Sequence, residues 1–244
     1  MIPRIVIIPT YNEKENIEDI IRKVISLNPV FNILVVDDNS PDGTGKIVKH
    51  LQTEFPEQLF MLERKEKNGL GTAYIDGFKW CIQEGYDYIF EMDADFSHNP
   101  DDLIRLFKAC EMGADLAVGS RYKTGVNVVN WPMSRVMLSY FASAYVRMIT
   151  GMDIRDTTAG FVCYKRALLE HINLEKIKFR GYAFQIEMKF TAWKHGFKIE
   201  EVPIIFTDRT KGESKISRGI IKEAIWGVFS MKLRSFFKSY NQIV

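Results

Sequence analysis

The sequence predicts an α/β protein, built as a doubly wound and mostly parallel sheet and followed by an amphipathic helical tail. Two observations carry the prediction for the body of the chain. Short, wholly apolar runs near residues 4–8, 32–36 and 59–62 alternate with segments of helical spacing, and strands without a polar face are buried on both sides, as in a parallel sheet. Acids, amides and an aromatic ring gather where these runs stop, and ligands of such sheets sit beyond the carboxyl ends of the strands. A third observation sets the tail apart. Cations dominate residues 209–222, and bulky apolar residues at helical spacing run on to Phe237.

Taken in order, the first strand ends at Pro9 and gives way to Thr10-Tyr11-Asn12-Glu13, after which Ile17, Ile20, Ile21 and Val24 mark a helix over 16–24. The second strand runs into Asp37-Asp38-Asn39-Ser40-Pro41-Asp42-Gly43, and Ile47, Val48 and Leu51 line one face of a helix over 44–55. The third strand is followed by Gly69-Leu70-Gly71, opening a helix that carries Ala73, Phe78 and Trp80. That turn lacks the third glycine of a dinucleotide fingerprint, and the chain holds no G-x-x-x-x-G-K-[ST] loop. Dehydrogenase and P-loop readings fall away. A fourth strand begins at Tyr88-Ile89-Phe90 and runs out into Asp93-Ala94-Asp95-Phe96-Ser97-His98. Leu103, Leu106 and Phe107 mark a helix over 100–110, and the strand Leu116-Ala117-Val118 leads to Gly119-Ser120-Arg121-Tyr122. A helix over 131–150 is apolar on much of its circumference and carries Arg135 and Arg147. Residues 156–161 read as a tight loop, Gly181 to Glu187 as the start of a further helix, and 202–206 as an edge strand, because Pro203 cannot donate to a ladder.

Composition limits the function. At 244 residues and 46% hydrophobic content the chain can bury one large core, and a formal net charge of +2 gives no general affinity for nucleic acid. The cations are confined to a loop and a tail without interleaved base-stacking positions, which excludes nucleic acid as a partner. Cys81, Cys110 and Cys163 are far apart, as expected for reduced thiols in a cytosolic protein. The N-terminus enters a strand directly, and no run approaches the roughly 20 apolar residues that span a bilayer. The expectation is a protein that is neither secreted nor integral to a membrane.

The chemistry gathers at the strand ends. Residues two apart on an extended chain point the same way, so Asp93 and Asp95 can aim two carboxylates at one hard divalent ion, Mg²⁺ or Mn²⁺. Without a positive centre between them, one of the two would tend to hold a proton. An aromatic ring for stacking and carboxylates for base or ribose donors, at neighbouring strand ends, predict a nucleotide site. Arg121, just past a strand end, offers a planar fork for phosphate oxygens.

Ile8-Pro9-Thr10-Tyr11-Asn12-Glu13, Val36-Asp37-Asp38-Asn39-Ser40-Pro41-Asp42-Gly43, Asn68-Gly69-Leu70-Gly71-Thr72-Ala73 and Met92-Asp93-Ala94-Asp95-Phe96-Ser97-His98 together resemble the family-2 glycosyltransferases of the GT-A fold. Among these, the chain is most similar to the polyprenyl-phosphate (dolichyl-phosphate) mannose synthases. The resemblance implies that Pro9, Tyr11, Glu13, Val36 and Asp38 hold the nucleotide, and that Asp93, Ala94 and Asp95 hold diphosphate and metal. Ser97 stands where some relatives carry Gln and would be a weaker oxygen ligand. Arg209 and Lys215 lie in a stretch that resembles a loop closing over diphosphate, and Arg135 in one that resembles the acceptor-phosphate region. Asp95, Arg121 and Arg135 are the expected catalytic residues.

The activity so implied is metal-dependent, inverting transfer of mannose from GDP-mannose to polyprenyl or dolichyl phosphate. A UDP-glucose-dependent glucosyltransferase and a non-catalytic nucleotide-sugar-binding scaffold are the alternatives. The expected division is a catalytic domain over 1–212 and a basic loop end with an interfacial helix over 213–244. That helix would attach the protein to the cytoplasmic face of a membrane or to a small membrane-anchoring subunit, with bulky apolar residues on one side and cations for anionic headgroups.

Overall fold

The computed structural model describes residues 2–181, 183–209, 218–237 and 240, with the backbone alone for 218–225. Lys215, the expected boundary at residue 212, and the start of the apolar tail stripe lie outside the described residues or side chains. Strands β1 (Arg4–Thr10), β2 (Asn32–Asp37), β3 (Leu59–Glu63) and β4 (Tyr88–Glu91) pair in parallel, separated in the chain by α1 (Ile17–Ile25), α2 (Thr44–Glu54) and α3 (Leu70–Gln83). Helix α4 (Asp102–Glu111) leads to β5 (Leu116–Ser120). The apolar runs have no polar face because the sheet has two cores. Val6 and Ile8 pack with α1, α2 and α4, whereas Ile5 and Ile7 pack with α3 on the other side.

The structure inserts one strand that the sequence reading passes over. β7 (Val162–Lys165) runs antiparallel between β4 and β5, and with β8 (Ile199–Pro203) the seven-stranded sheet has the order β3-β2-β1-β4-β7-β5-β8. β8 spans Ile199–Pro203, earlier than the expected 202–206, and forms the sheet edge beside β5. Its last residue is Pro203, where a missing donor is harmless. Phe206 instead belongs to β9 (Phe206–Thr207), which pairs with β6 (Val128–Val129) in a separate ribbon. β1 and β4 are neighbours although two strands lie between them in sequence. The chain therefore reverses its direction of sheet growth there, which opens a crevice beyond their carboxyl ends.

The short α6 (Arg166–His171) follows β7, and a third layer adds α5 (Met133–Thr150), α7 (Ala183–Lys194) and α8 (Arg218–Ser235), joined by Val146, Ile186, Phe190, Val228 and Met231. The opposite sides of α5 and α8 carry exposed Met133, Met137, Leu138, Phe141 and Met148, and Trp226, Phe229 and Leu233. Just past α8, Phe236 and Phe237 are 70% and 92% exposed.

Gly69-Leu70-Gly71 is a packing seat, not a phosphate loop. Gly71 N–H donates to the Arg180 carbonyl at 2.7 Å, and a Cβ at Gly71 would lie 2.8 Å from both the Phe179 carbonyl oxygen and the Phe184 ring. Backbone cannot give way as a flexible side chain can. Gly71→Ala is expected to destabilise the fold by about 1–3 kcal/mol, read as a shift in the urea midpoint at unchanged slope.

Candidate functional site

Loops after β1 and β2 lock together at the rim of the crevice. Asp37 accepts from Thr10 Oγ1 (2.8 Å), Ser40 N (2.9 Å) and Ser40 Oγ (2.6 Å), and Asp38 N–H donates to the Thr10 carbonyl. Asn12 and Asn39 turn these loops with φ of 58° and 55°, a left-handed conformation that Asn tolerates. Tyr11 is partly exposed, with Lys67 Nζ 4.3 Å from its ring centre, and Glu13 N–H is held by Thr44 Oγ1 at 3.0 Å. Val36 is fully enclosed in the core and Pro9 pairs with it in register, so at Val36 only main chain can face a ligand.

The second acid, Asp38, sits beneath this rim with its side chain only 8% exposed and Arg64 Nη1 3.0 Å from its Oδ1. Burial raises the Asp38 carboxyl above its usual range, and Arg64 opposes that rise. Arg64 and Lys67 were not legible as site residues. They stand in Glu63-Arg64-Lys65-Glu66-Lys67, a run of alternating charge that reads as solvated surface.

Beyond β4, Asp93 is partly exposed and Asp95 is buried. Between Asp95 and Ser97, Phe96 takes φ of 58°, a strained setting for a bulky side chain. The consequence is local. Ser97 folds back so that its N–H (3.1 Å) and Oγ (2.5 Å) both donate to Asp95 Oδ1, while Arg209 Nη2 lies 3.0 Å from Oδ2. Burial alone would raise the Asp95 carboxyl; Ser97 and Arg209 hold it below the usual carboxylate range. Ser97, expected as an oxygen ligand, thus braces Asp95 in this arrangement, and Ala94 is buried beside it, leaving its main chain to offer.

Two ionised or ionisable carboxylates and a hydroxyl are hard oxygen donors, which fits Mg²⁺ or Mn²⁺. Among the described residues no group of three or more His, Cys, Asp or Glu side chains could hold a metal ion. A cation on Asp93 and Asp95 would complete its shell with water and ligand phosphates, and would share or displace the Arg209 guanidinium.

Behind Asp93, the fully buried Glu91 accepts from Gln185 Nε2 at 2.8 Å, and buried Lys189 donates to the Ala159 carbonyl at 2.6 Å. Burial drives Glu91 up and Lys189 down, each to about 8. Glu187, on the same helix, accepts from Lys178 N (2.7 Å) and Phe179 N (2.9 Å). A carboxylate so occupied ties down the segment entering α7.

The arginines gather on the other flank. Arg121 is buried and bound to Asp156 through its backbone N–H (2.9 Å), Nε (2.7 Å) and Nη2 (2.6 Å). Glu201 holds the Asp156 and Arg155 N–H groups at 2.9 and 3.0 Å. Arg135 Nη1 pairs with Asp208 Oδ1 at 2.7 Å, and the guanidinium carbons of Arg135 and Arg121 lie 4.1 and 5.5 Å from the Trp131 ring centre. The two arginines expected to bind phosphate thus share one indole. Their acidic partners come from 35 and 73 residues away, a separation no local pattern reveals.

His98 closes the floor, stacked on Phe161 at 4.9 Å and edge-on to Phe206 at 5.2 Å. Burial lowers its pKa to about 4. The unfolded chain takes up this proton near pH 6.5 and the folded chain does not, so stability is intact above that pH and falls below it. The loss should reach about 2 kcal/mol by pH 5, and His98→Phe should flatten that limb of a stability-against-pH curve.

Residues 5–176 match the family described as glycosyl transferase family 2. The chain is 46% identical over 230 residues to a polyprenol monophosphomannose synthase of Mycolicibacterium smegmatis, covering 94% of this chain and 87% of that protein. It is 45% identical over 227 residues to an undecaprenyl-phosphate mannosyltransferase of Micrococcus luteus, covering 91% and 93%. A glucosyl-3-phosphoglycerate synthase from Mycobacterium tuberculosis, solved in complex with Mn²⁺, uridine diphosphate and glucosyl-3-phosphoglycerate, superposes with a TM-score of 0.68 at 16% identity over 95% of this chain and 79% of that one. This last likeness is one of fold. The chain belongs to glycosyl transferase family 2 and is a glycosyltransferase of the GT-A fold.

Proposed function

We propose that the chain transfers mannose from GDP-mannose to polyprenyl or dolichyl phosphate, inverting the anomeric carbon in one displacement, in the presence of Mg²⁺ or Mn²⁺. The observation that carries this reading is the 46% and 45% identity, over nearly the whole chain, to two proteins named for mannosyl transfer to polyprenyl carriers. Tyr11, Glu13 and Asp38 bind the nucleoside, with main chain at Pro9, Val36 and Ala94. Asp93 and Asp95 hold the cation, with Ser97 orienting Asp95. A bound divalent cation supplies charge neutralisation for the departing diphosphate. Arg209, 3.0 Å from Asp95 Oδ2, adds positive charge at the same point.

A phosphate monoester, with a second pKa of about 6, is largely dianionic at neutral pH and attacks without a general base. This suits a site in which Glu187 is occupied by backbone donors. Arg135 and Arg121, gathered at Trp131, orient that nucleophile. Incubation with radiolabelled GDP-mannose and polyprenyl phosphate, with and without chelator, should move label into the solvent-extractable lipid only without chelator. UDP-glucose should not replace the donor; if it does so equally well, the donor assignment is lost.

The exposed apolar faces of α5 and α8 meet the membrane that carries the acceptor, on its cytoplasmic side. No described helix is long and apolar enough to cross it. Replacing Phe236 and Phe237 together with Ser should lower co-sedimentation with anionic vesicles at least tenfold, since each buried Phe contributes about 1.5–3 kcal/mol. Unchanged sedimentation removes the C-terminal end from the attachment.

A further inference from the structure

We propose that Asp208 and Arg209 form a charge-exchange pair that couples the two flanks of the crevice. Asp208 stands on Arg135 where an acceptor's phosphate would sit, Arg209 stands on Asp95 where a divalent cation would, and the arrival of either ligand favours the other. The inference rests on the reading of the crevice as a site for a nucleotide sugar and a phosphate acceptor.

One short stretch of chain, from β9 onward, touches both flanks. The Phe206 ring lies edge-on to His98 and to Trp131, each at 5.2 Å, and the guanidinium carbon of Arg121 is 5.6 Å from its centre. Thr207 N–H donates to the Ser97 carbonyl at 3.2 Å and Asp208 N–H to the Val129 carbonyl at 3.0 Å, so main chain pins the stretch to the loop after β4 and to β6. The next two side chains then divide. Asp208 Oδ1 accepts from Arg135 Nη1 at 2.7 Å, whereas Arg209 Nη2 lies 3.0 Å from Asp95 Oδ2. Asp208 Oδ1 also accepts from the Arg209 N–H at 3.2 Å, which keeps acid and cation neighbours.

Burial separates these pairs from the fixed one beside them. Arg121 and Asp156 are 10% and 0% exposed, and breaking that pair strands a charge in the interior. Arg135 and Asp208 are 29% and 28% exposed, and Arg209 is 24% exposed. Ion pairs that reach water hold weakly and change partners at little cost. Each partner also resembles the ligand to which it would yield. A carboxylate and a phosphate dianion both offer oxygen acceptors to a guanidinium fork, the dianion with more charge. A divalent ion approaches a carboxylate more closely than a guanidinium does, with twice the charge. When a phosphate takes Arg135, the displaced Asp208 carboxylate is left beside Arg209 and draws that guanidinium from Asp95, which opens Asp95 to the cation. The reverse exchange runs the same way, and linkage makes the two gains equal.

The test is calorimetric binding of geranyl phosphate and of Mn²⁺ to the full chain at neutral pH, each with and without the other. It compares wild type, Asp208→Asn and Arg209→Gln, with thermal unfolding of each. In the wild type each ligand should tighten the other by about fivefold or more. Asp208→Asn removes the competing charge: without Mn²⁺ it should bind geranyl phosphate tighter than wild type by about threefold or more, and the further gain from Mn²⁺ should fall below about twofold. Direct attraction between Mn²⁺ and phosphate would survive in that variant, so a coupling factor equal to that of wild type overturns the proposal. So does a metal-free affinity no higher than that of wild type, the result expected if Asp208 only orients Arg135. Arg209→Gln should bind Mn²⁺ more tightly than wild type when no phosphate is present, and weaker binding overturns the exchange at Asp95. Should Asp208→Asn fail to fold, loss of coupling in Arg209→Gln supports the proposal and its persistence overturns it. A wild-type chain that binds neither Mn²⁺ nor geranyl phosphate overturns the reading of the crevice itself, whereas binding of both without coupling overturns the exchange alone.

Discussion

Asp95→Asn is expected to lower turnover by roughly a hundred- to a thousandfold while the protein stays folded. Asn preserves the shape of the side chain and can still accept from Ser97 N–H and Oγ, so the strained turn at Phe96 keeps its anchors. What disappears is one full negative charge. The carboxylate is held in its ionised form near neutral pH by Ser97 and Arg209, so it is ready for a hard cation without proton release. Charge neutralisation of a departing diphosphate lowers a barrier by several kcal/mol, at about 1.4 kcal/mol per tenfold. Mn²⁺ binding followed by electron paramagnetic resonance should weaken in the same variant, independently of any sugar transfer. Turnover and Mn²⁺ affinity both near the wild-type values would remove Asp95 from the cation site. Its depressed pKa gives a second signature: the stability it confers is present above about pH 4 and lost as pH falls through the folded pKa, a limb that Asn lacks.

The strand ends announced themselves because a parallel sheet forces them to. Strands such as Ile5-Val6-Ile7-Ile8 must be apolar on both faces, so polar residues are pushed to the loops where the apolar runs stop. Asp38, Tyr11, Asp93 and Asp95 stand out at those ends for that reason. β7 is not, because Val162–Lys165 is short and its antiparallel course between β4 and β5 depends on pairings with residues far away in sequence. The same limit hides the partners of the cations. Arg121 reads as a free phosphate fork from its place after β5, whereas the fold spends much of that fork on Asp156. Gly69-Leu70-Gly71 illustrates the converse: its glycines are required, but by the Phe179–Arg180 backbone and the Phe184 ring, which no local pattern connects to them.

Asp156→Ala is expected to cost about 3–5 kcal/mol of folding stability, the largest effect of any single change near the site. Its side chain is fully buried and accepts from Arg121 at three points, and burial, which alone would raise its carboxyl, is outweighed by the guanidinium. Removing it leaves Arg121 enclosed with its charge uncompensated. The second variant to make is Arg121→Met, and the third is the pair. If the two residues act as one buried unit, the double variant should be more stable than Asp156→Ala alone, because an apolar side chain then replaces a stranded cation. Activity should separate from stability in that series. A fork used only to support the loop would lose no more turnover than its loss of folded protein explains. A fork that also turns toward the acceptor would raise the KM for polyprenyl phosphate in folded Arg121→Met, with the affinity for GDP unchanged. The second outcome is expected, since Arg121 approaches the same Trp131 ring as Arg135, so a dianionic headgroup placed there meets both guanidinium groups.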